Sequence, residues 1–153
     1  MRLGITFGAA LFLALAFPSS GVAQEQALTY EMARAAAEAA EAEARSNDWN
    51  VTIIVTDAEA VPIYLKRLTG ASPRSYEIAM RKARTSVASG LTTAVYGERL
   101  EAGQVAEVPD GVTFAGGVPI VVDGEVVGAV ATSGVAAIDD AQISQAGVDV
   151  IVR

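Results

Sequence analysis

Two valine-rich segments on either side of the dipeptide Asp123-Gly124 constrain the fold most strongly. Residues 116–122 and 125–134 are apolar at nearly every position. Asp-Gly is a typical two-residue connection of a β-hairpin, because both residues tolerate a positive φ. Strands that are apolar at consecutive positions are covered on both faces. The sequence therefore predicts a buried antiparallel hairpin.

The rest of the chain supplies helices and a second hairpin. Thr29 is a suitable N-cap for the first helix. Gly90 is suited to end, in a left-handed conformation, the helix that opens at Ser72-Pro73. The predicted elements are a helix over 27–47, strands over 49–57 and 61–68, a helix that opens at Ser72-Pro73, a short helix over 92–100 and a closing helix over 139–150. The order α-β-β-α-α-β-β-α predicts an α+β fold, with an antiparallel sheet of about four to five strands flanked by helices.

The first residues resemble a cleaved secretory signal. Arg2 gives a positive start, residues 4–17 are apolar, and residues 21–23 include small side chains at the positions that a signal peptidase reads. The apolar run is shorter than the ~20 residues that span a membrane. We therefore expect residues 1–23 to be a signal peptide and 24–153 a single domain, periplasmic or secreted, without stable membrane insertion after cleavage. An uncleaved anchor is the alternative.

Composition excludes several classes of chemistry. The sequence has no cysteine and no histidine, which removes disulfides, thiolate nucleophiles, histidine-ligated metals and the Ser-His-Asp triad. The net charge is -7, and removal of residues 1–23 leaves 18 acidic against 10 basic residues, or -8. Such an acidic protein is not expected to bind nucleic acid, which requires a basic patch.

One basic segment stands out against this acidic background. Arg67 ends the second predicted strand, and the next helix carries Arg74, Arg81, Lys82 and Arg84. These bases can bind an anionic ligand or pair with the acidic residues around them. On a helix, Lys82 and Arg84 point about 200° apart, so they cannot both face one pocket fully.

Small and hydroxyl residues form a second candidate cluster. Gly116-Gly117 permits the close approach of a ligand or of another backbone, or forms a bulge. Thr132 and Ser133 place hydroxyls at the end of a buried strand, where helix capping is the alternative function.

Five blocks of the sequence, taken in order, resemble the GlcG/HbpS family (DUF336), the haem-binding domain also found at the C-terminus of PduO-type proteins. The blocks are ALTYEMARAAAEAAEAEA, VTIIVTD, GASPRSYEIAMRKARTS, GGVPIVVDGEVVGAVATSG and DDAQISQAG. The resemblance runs from about Ala27 to Ile151. It implies a sheet flanked by helices, frequent homo-oligomers, and binding or breakdown of haem.

The chain departs from the family at two points. Residues 57–60 read Asp-Ala-Glu-Ala where family members commonly have a glycine, so we expect a reshaped turn. Some members use a histidine around haem iron, and this chain has none. Since tyrosine can ligate ferric iron, the candidate iron ligands are Tyr64, Tyr76 and Tyr96, with Met80 and Met32 as weaker ones.

Two main functions follow as expectations. The first is a secreted or periplasmic haem-binding protein, a buffer or carrier, with ligand-binding residues Arg67, Tyr76, Met80, Lys82, Arg84, Gly116, Gly117 and Ser133. The second is an accessory enzyme or ligand-binding protein of small organic acid catabolism, in which Lys82 serves as a base if burial lowers its pKa. An assembly module without a ligand is a third possibility.

Overall fold

Helices and strands follow one another along the chain in the predicted order. The computed structural model describes residues 27–152, so the expected signal peptide lies outside the described residues. The elements are α1 (Tyr30–Ser46), β1 (Thr52–Thr56), β2 (Pro62–Arg67), α2 (Arg74–Ser89), α3 (Thr93–Glu101), β3 (Gly117–Val122), β4 (Glu125–Ser133) and α4 (Ala137–Val148). The α+β class is therefore confirmed, and within residues 27–152 no helix combines the length and the apolar character needed to cross a membrane.

The four strands form one antiparallel sheet in the order β2-β1-β4-β3. The predicted hairpin turn is present, since Asp123 and Gly124 have φ values of 51° and 88°. Strand β4 lies between β1 and β3, which explains its continuous apolar sequence. Strand β3 is an edge strand, and Val121 is exposed there, so coverage of both faces holds better for β4 than for β3.

Both edge strands contain a proline. Pro62 opens β2 and Pro119 lies within β3. A proline has no N–H to offer a further strand, so it disfavours edge-to-edge pairing with another sheet. The edge position expected of the strand with Pro62 is confirmed.

Two helical layers cover the sheet. Helices α1 and α4 pack on one face, and α2 packs on the other, over β1, β4 and β3. The α1 side of the core contains Ile53, Val55 and Val130, and on the α2 side Ile54 clusters with residues of that helix. Helix α1 turns a row of alanines inward, and these short side chains let it approach closely; they are Ala33, Ala36, Ala37, Ala40 and Ala44.

Two helix starts differ from the prediction. Helix α2 begins at Arg74 after Pro73, one residue later than expected, although the Ser72 hydroxyl still accepts a hydrogen bond from the Arg74 amide at 3.3 Å. Helix α4 begins at Ala137 rather than Asp139. The N-cap Thr29 and the left-handed Gly90 are confirmed.

Candidate functional site

A buried ion pair joins the two helical layers at one end of the sheet. Lys82 Nζ of α2 lies 2.7 Å from Asp140 Oδ2 of α4, and the side chains are 1% and 3% exposed. Lys82 also donates a hydrogen bond to the Thr132 carbonyl at 2.9 Å. The ring of Phe114 has its centroid 5.3 Å from Nζ, within range of a cation–π interaction. We call Lys82 and Asp140 the buried pair.

The twin glycine makes room for this pair. A Cβ on Gly116 would lie 2.3 Å from Lys82 Nζ and 2.8 Å from the Thr132 carbonyl oxygen. The φ of Gly116 is 124°, which also favours glycine. A Cβ on Gly117 would lie 2.6 Å from the Lys82 carbonyl oxygen. Of the alternatives left open by the sequence, the structure shows the close approach of protein groups, and both glycines also line a cavity.

Burial governs the electrostatics of the pair. Desolvation lowers the pKa of Lys82 and raises the pKa of Asp140, and the hydrogen bond between them opposes both shifts. The second carboxylate oxygen of Asp140 accepts a hydrogen bond from the Val135 amide at 3.3 Å. Lys82 is thus a compensated internal cation with little access to a ligand.

A groove runs along the outer edge of β3, next to the buried pair. One cavity of about 290 Å³ adjoins a shallower depression of about 540 Å³, and Ala94 and Ala115 line both. Glu98 and Glu101 border the second depression. None of the described residues that line this β3-edge groove is a lysine or arginine. An anionic ligand in the second depression would therefore meet two carboxylates without a compensating cation. The first cavity has no charged side chain among its described lining residues, and the predicted binding residues Gly116 and Gly117 line it.

A different surface lies between β2 and the start of α2. We call it the β2–α2 surface and define it by Leu65, Arg67, Arg74 and Tyr76. All four residues are exposed, and Leu65 and Tyr76 are each 44% exposed despite their apolar bulk. Helix α2 packs mainly over the other three strands, which leaves this face of β2 open.

Strand register places these side chains next to one another. Leu65 pairs with Ile54 and Arg67 with Thr52, and directly paired residues of antiparallel strands point to the same face. Ile54 clusters with residues of α2, and the Thr52 hydroxyl lies 2.7 Å from that of Ser75. Leu65 and Arg67 therefore flank the first turns of α2, where Arg74 and Tyr76 lie.

The three candidate tyrosine ligands have different environments. Tyr64 lies on the opposite face of β2, with its ring centroid 6.3 Å from that of Tyr30. Tyr96 is 1% exposed, and its hydroxyl accepts a hydrogen bond from the Val108 amide at 2.8 Å. Tyr76 is exposed, and its phenol hydroxyl makes no hydrogen bond to a residue in the described range. Tyr76 is the best placed of the three to reach a bound ligand.

The remaining predicted residues divide between the interior and the surface. Met80 is buried against Ile54, and Ser133 is buried at the end of β4. Arg84 is exposed, so the expectation that Lys82 and Arg84 face different directions is confirmed. Arg81 instead donates to the carbonyls of residues 110 and 111 and holds that loop. The structure thus brings Lys82, Gly116 and Gly117 together, and separately Arg67 and Tyr76.

Sequence reasoning missed the partner of Lys82. Asp140 lies in the first turn of α4, near the start of the predicted closing helix. Its main contact, however, is with a residue 58 positions away, which no local pattern indicates. Over residues 27–152, no group of three or more acidic side chains comes together in a way that could hold a metal ion.

Comparisons with known sequences agree with this fold. The model of a family described as "Haem degrading protein HbpS-like" matches residues 28–149. Protein GlcG of Escherichia coli K12 is 37% identical over 108 residues, which span 69% of this chain and 81% of GlcG.

Solved structures are also similar. The crystal structure of HbpS superimposes with a TM-score of 0.79 at 31% identity and covers 91% of this chain and 100% of HbpS. The crystal structure of a complex of PduOC with haem gives a TM-score of 0.73 at 26% identity and covers 80% of this chain and 94% of PduOC. Fold and sequence thus agree over most of the described residues.

Proposed function

Since the chain belongs to the family of HbpS-like haem-degrading proteins, we propose that it binds haem or a related tetrapyrrole. The similar protein PduOC has been solved in complex with haem. The observation that carries the proposal is the β2–α2 surface, where exposed apolar and aromatic side chains lie beside two arginines. This combination matches a ligand with an apolar face and acidic substituents.

The residues of this surface fit haem in chemical type. Leu65 and Tyr76 offer apolar and aromatic contact to the macrocycle. Arg74 can bind a propionate through two parallel hydrogen bonds, and Arg67, whose Nη1 donates to the Ala71 carbonyl at 3.3 Å, keeps further N–H donors for another. Bound haem would supply a redox-active iron, while the residues of the protein bind and orient the ring. The β3-edge groove fits less well, because none of its described lining residues is a base and Glu98 and Glu101 of its second depression would repel the propionates.

The alternative of an enzyme for small organic acids gains less from the structure. Its proposed base, Lys82, is 1% exposed and already donates to Asp140 and Thr132. A substrate would have to displace Phe114 or the glycines around the amine. An organic anion could instead use the arginines of the β2–α2 surface, and a competition experiment separates that ligand from haem.

We further propose that the protein acts as a haem buffer or carrier outside the cytoplasm. The proposal depends on the signal-like residues 1–23. Expression of the full chain in a bacterial host, cell fractionation and N-terminal sequencing test it. Recovery in the periplasm or medium with Gln24 as the first residue supports export, and cytoplasmic protein that begins at Met1 contradicts it.

Titration of the purified protein with hemin tests the binding function. We expect a Soret band that grows saturably to a one-to-one ratio. The double variant Arg67→Ala/Arg74→Ala should weaken the affinity about tenfold, which corresponds to loss of roughly 1.4 kcal/mol. Arg34→Ala is the control, since Arg34 is an exposed arginine on α1 paired with Glu38. Binding no stronger than that of an unrelated acidic protein would refute the proposal.

A further inference from the structure

If this chain binds haem, the iron requires an axial ligand other than histidine or cysteine. The sequence contains neither histidine nor cysteine, so two common axial ligands are absent. Tyrosine oxygen is an established alternative ligand of haem iron, and the chain has four tyrosines. The structure distinguishes among them by exposure, partners and surrounding charge.

Three of the four tyrosines are poorly placed. Tyr96 is enclosed and hydrogen-bonded to the backbone. Tyr64 is half-buried against Tyr30. Tyr30 is exposed, but Glu31 is adjacent to it, and Arg34, one turn further along α1, is paired with Glu38. The propionates of haem would be repelled there.

Tyr76 has arginines nearby as well as the adjacent Glu77. It lies on the β2–α2 surface, two residues from Arg74 and close to Arg67 through the register of β1 and β2. Leu65 offers exposed apolar area beside it, and Met80, one helical turn further along, fills the space beneath. Arg74 and Tyr76 point about 200° apart on the helix, so a ring placed here would contact the phenol oxygen, Leu65 and Arg67, with Arg74 on the other flank of α2.

We propose that Tyr76 ligates the ferric iron of haem through its phenolate oxygen at the β2–α2 surface. The inference rests on the proposed haem-binding function. On ligation, the phenol O–H bond breaks, the proton passes to solvent water, and the oxygen electron pair forms the bond to iron without a change in oxidation state. Arg67 favours the reaction because its positive charge offsets the negative charges of the phenolate and the propionates.

The test compares hemin with metal-free protoporphyrin IX. Tyr76→Phe retains the ring and removes only the oxygen. Because Tyr76 is exposed, the variant should fold as the wild type does. We expect the Kd for hemin to rise roughly tenfold to a hundredfold. The phenolate–iron bands in the resonance Raman spectrum should disappear, whereas protoporphyrin affinity should stay within about twofold. Tyr30→Phe is the matched control and should change neither.

Different results overturn different parts of the proposal. If the wild type binds neither porphyrin, haem binding itself is refuted. If hemin binds but Tyr76→Phe retains the wild-type affinity and Raman spectrum, haem binding stands and ligation by Tyr76 is refuted. If Tyr76→Phe weakens both porphyrins equally, Tyr76 contacts the ring without ligating the iron, and the inference is also refuted.

Discussion

The buried pair and the β2–α2 surface use basic side chains of the same helix in opposite ways. Lys82 is enclosed, has a carboxylate partner and joins two layers. Arg74 lies two turns earlier, is exposed and flanks an exposed tyrosine. The difference shows that a basic segment in the sequence is not one site. The direction in which each helix position points determines whether its charge stabilises the fold or remains available to a ligand.

Lys82→Ala should produce the largest effect on stability. It leaves Asp140 buried without its cation, and loss of one member of a buried ion pair typically costs about 3–5 kcal/mol. Denaturant unfolding at pH 7 measures the change. Arg84→Ala, on the exposed side of α2, is the control and should fall within about 0.5 kcal/mol of wild type. A cost for Lys82→Ala as small as that of the control would contradict a structural role for the pair.

Gly116→Ala should have the second largest effect. The added Cβ would overlap Lys82 Nζ and the Thr132 carbonyl oxygen, and we expect a loss of about 2–4 kcal/mol from overpacking and positive φ. Gly124→Ala is the matched control, because Gly124 also has a positive φ but no atom within 4 Å of its added Cβ. Equal losses in thermal or denaturant unfolding would show that backbone conformation alone, and not the buried pair, requires Gly116.

The cost of Lys82→Ala should depend on pH. Burial raises the pKa of Asp140 above its ordinary value of 3.8, and removal of Lys82 should raise it further. The folded variant then binds a proton more readily than the unfolded chain, so its stability rises as the pH falls through the raised pKa towards 3.8. Unfolding at pH 7 and pH 4.5 should give a smaller difference from wild type at the lower pH. A constant difference would mean that Asp140 stays charged.

Ala60→Gly should have the smallest effect and should stabilise the protein. Ala60 has a φ of 61° in the turn before β2, a left-handed conformation that costs a residue with a Cβ about 1–2 kcal/mol. The greater freedom of glycine in the unfolded chain offsets part of that gain. We expect the unfolding free energy to rise by about 0.5 kcal/mol. A decrease in the unfolding free energy would show that the alanine side chain supports the turn. Hemin affinity at the β2–α2 surface should not change in this variant.

Local patterns predicted most of the fold but only part of the candidate site. Asp123-Gly124, Thr29 and Gly90 act through their own backbone neighbourhood, so their turn and cap positions follow from sequence. In the turn before β2, Asp57 accepts hydrogen bonds from the Glu59 and Val61 amides, and the difference of this turn from the family's turn stays a prediction.

Contacts between distant segments explain what sequence reasoning missed. The link from Lys82 to Asp140, and the fit of Gly116 against Lys82, depend on how α2, α4 and β3 meet. The proximity of Tyr76 to Leu65 likewise requires the register of β1 with β2. No periodicity within a single element contains this information.

One paired measurement tests the central claim that the surface, and not the buried pair, binds haem. Hemin affinity is measured for Arg67→Ala/Arg74→Ala and for Lys82→Met/Asp140→Leu, which replaces both buried charges with apolar groups and should therefore remain folded. Circular dichroism confirms folding of both variants. The account predicts that the surface variant loses affinity about tenfold while the core variant binds as wild type does. Loss of affinity in the folded core variant, with wild-type affinity in the surface variant, would contradict it.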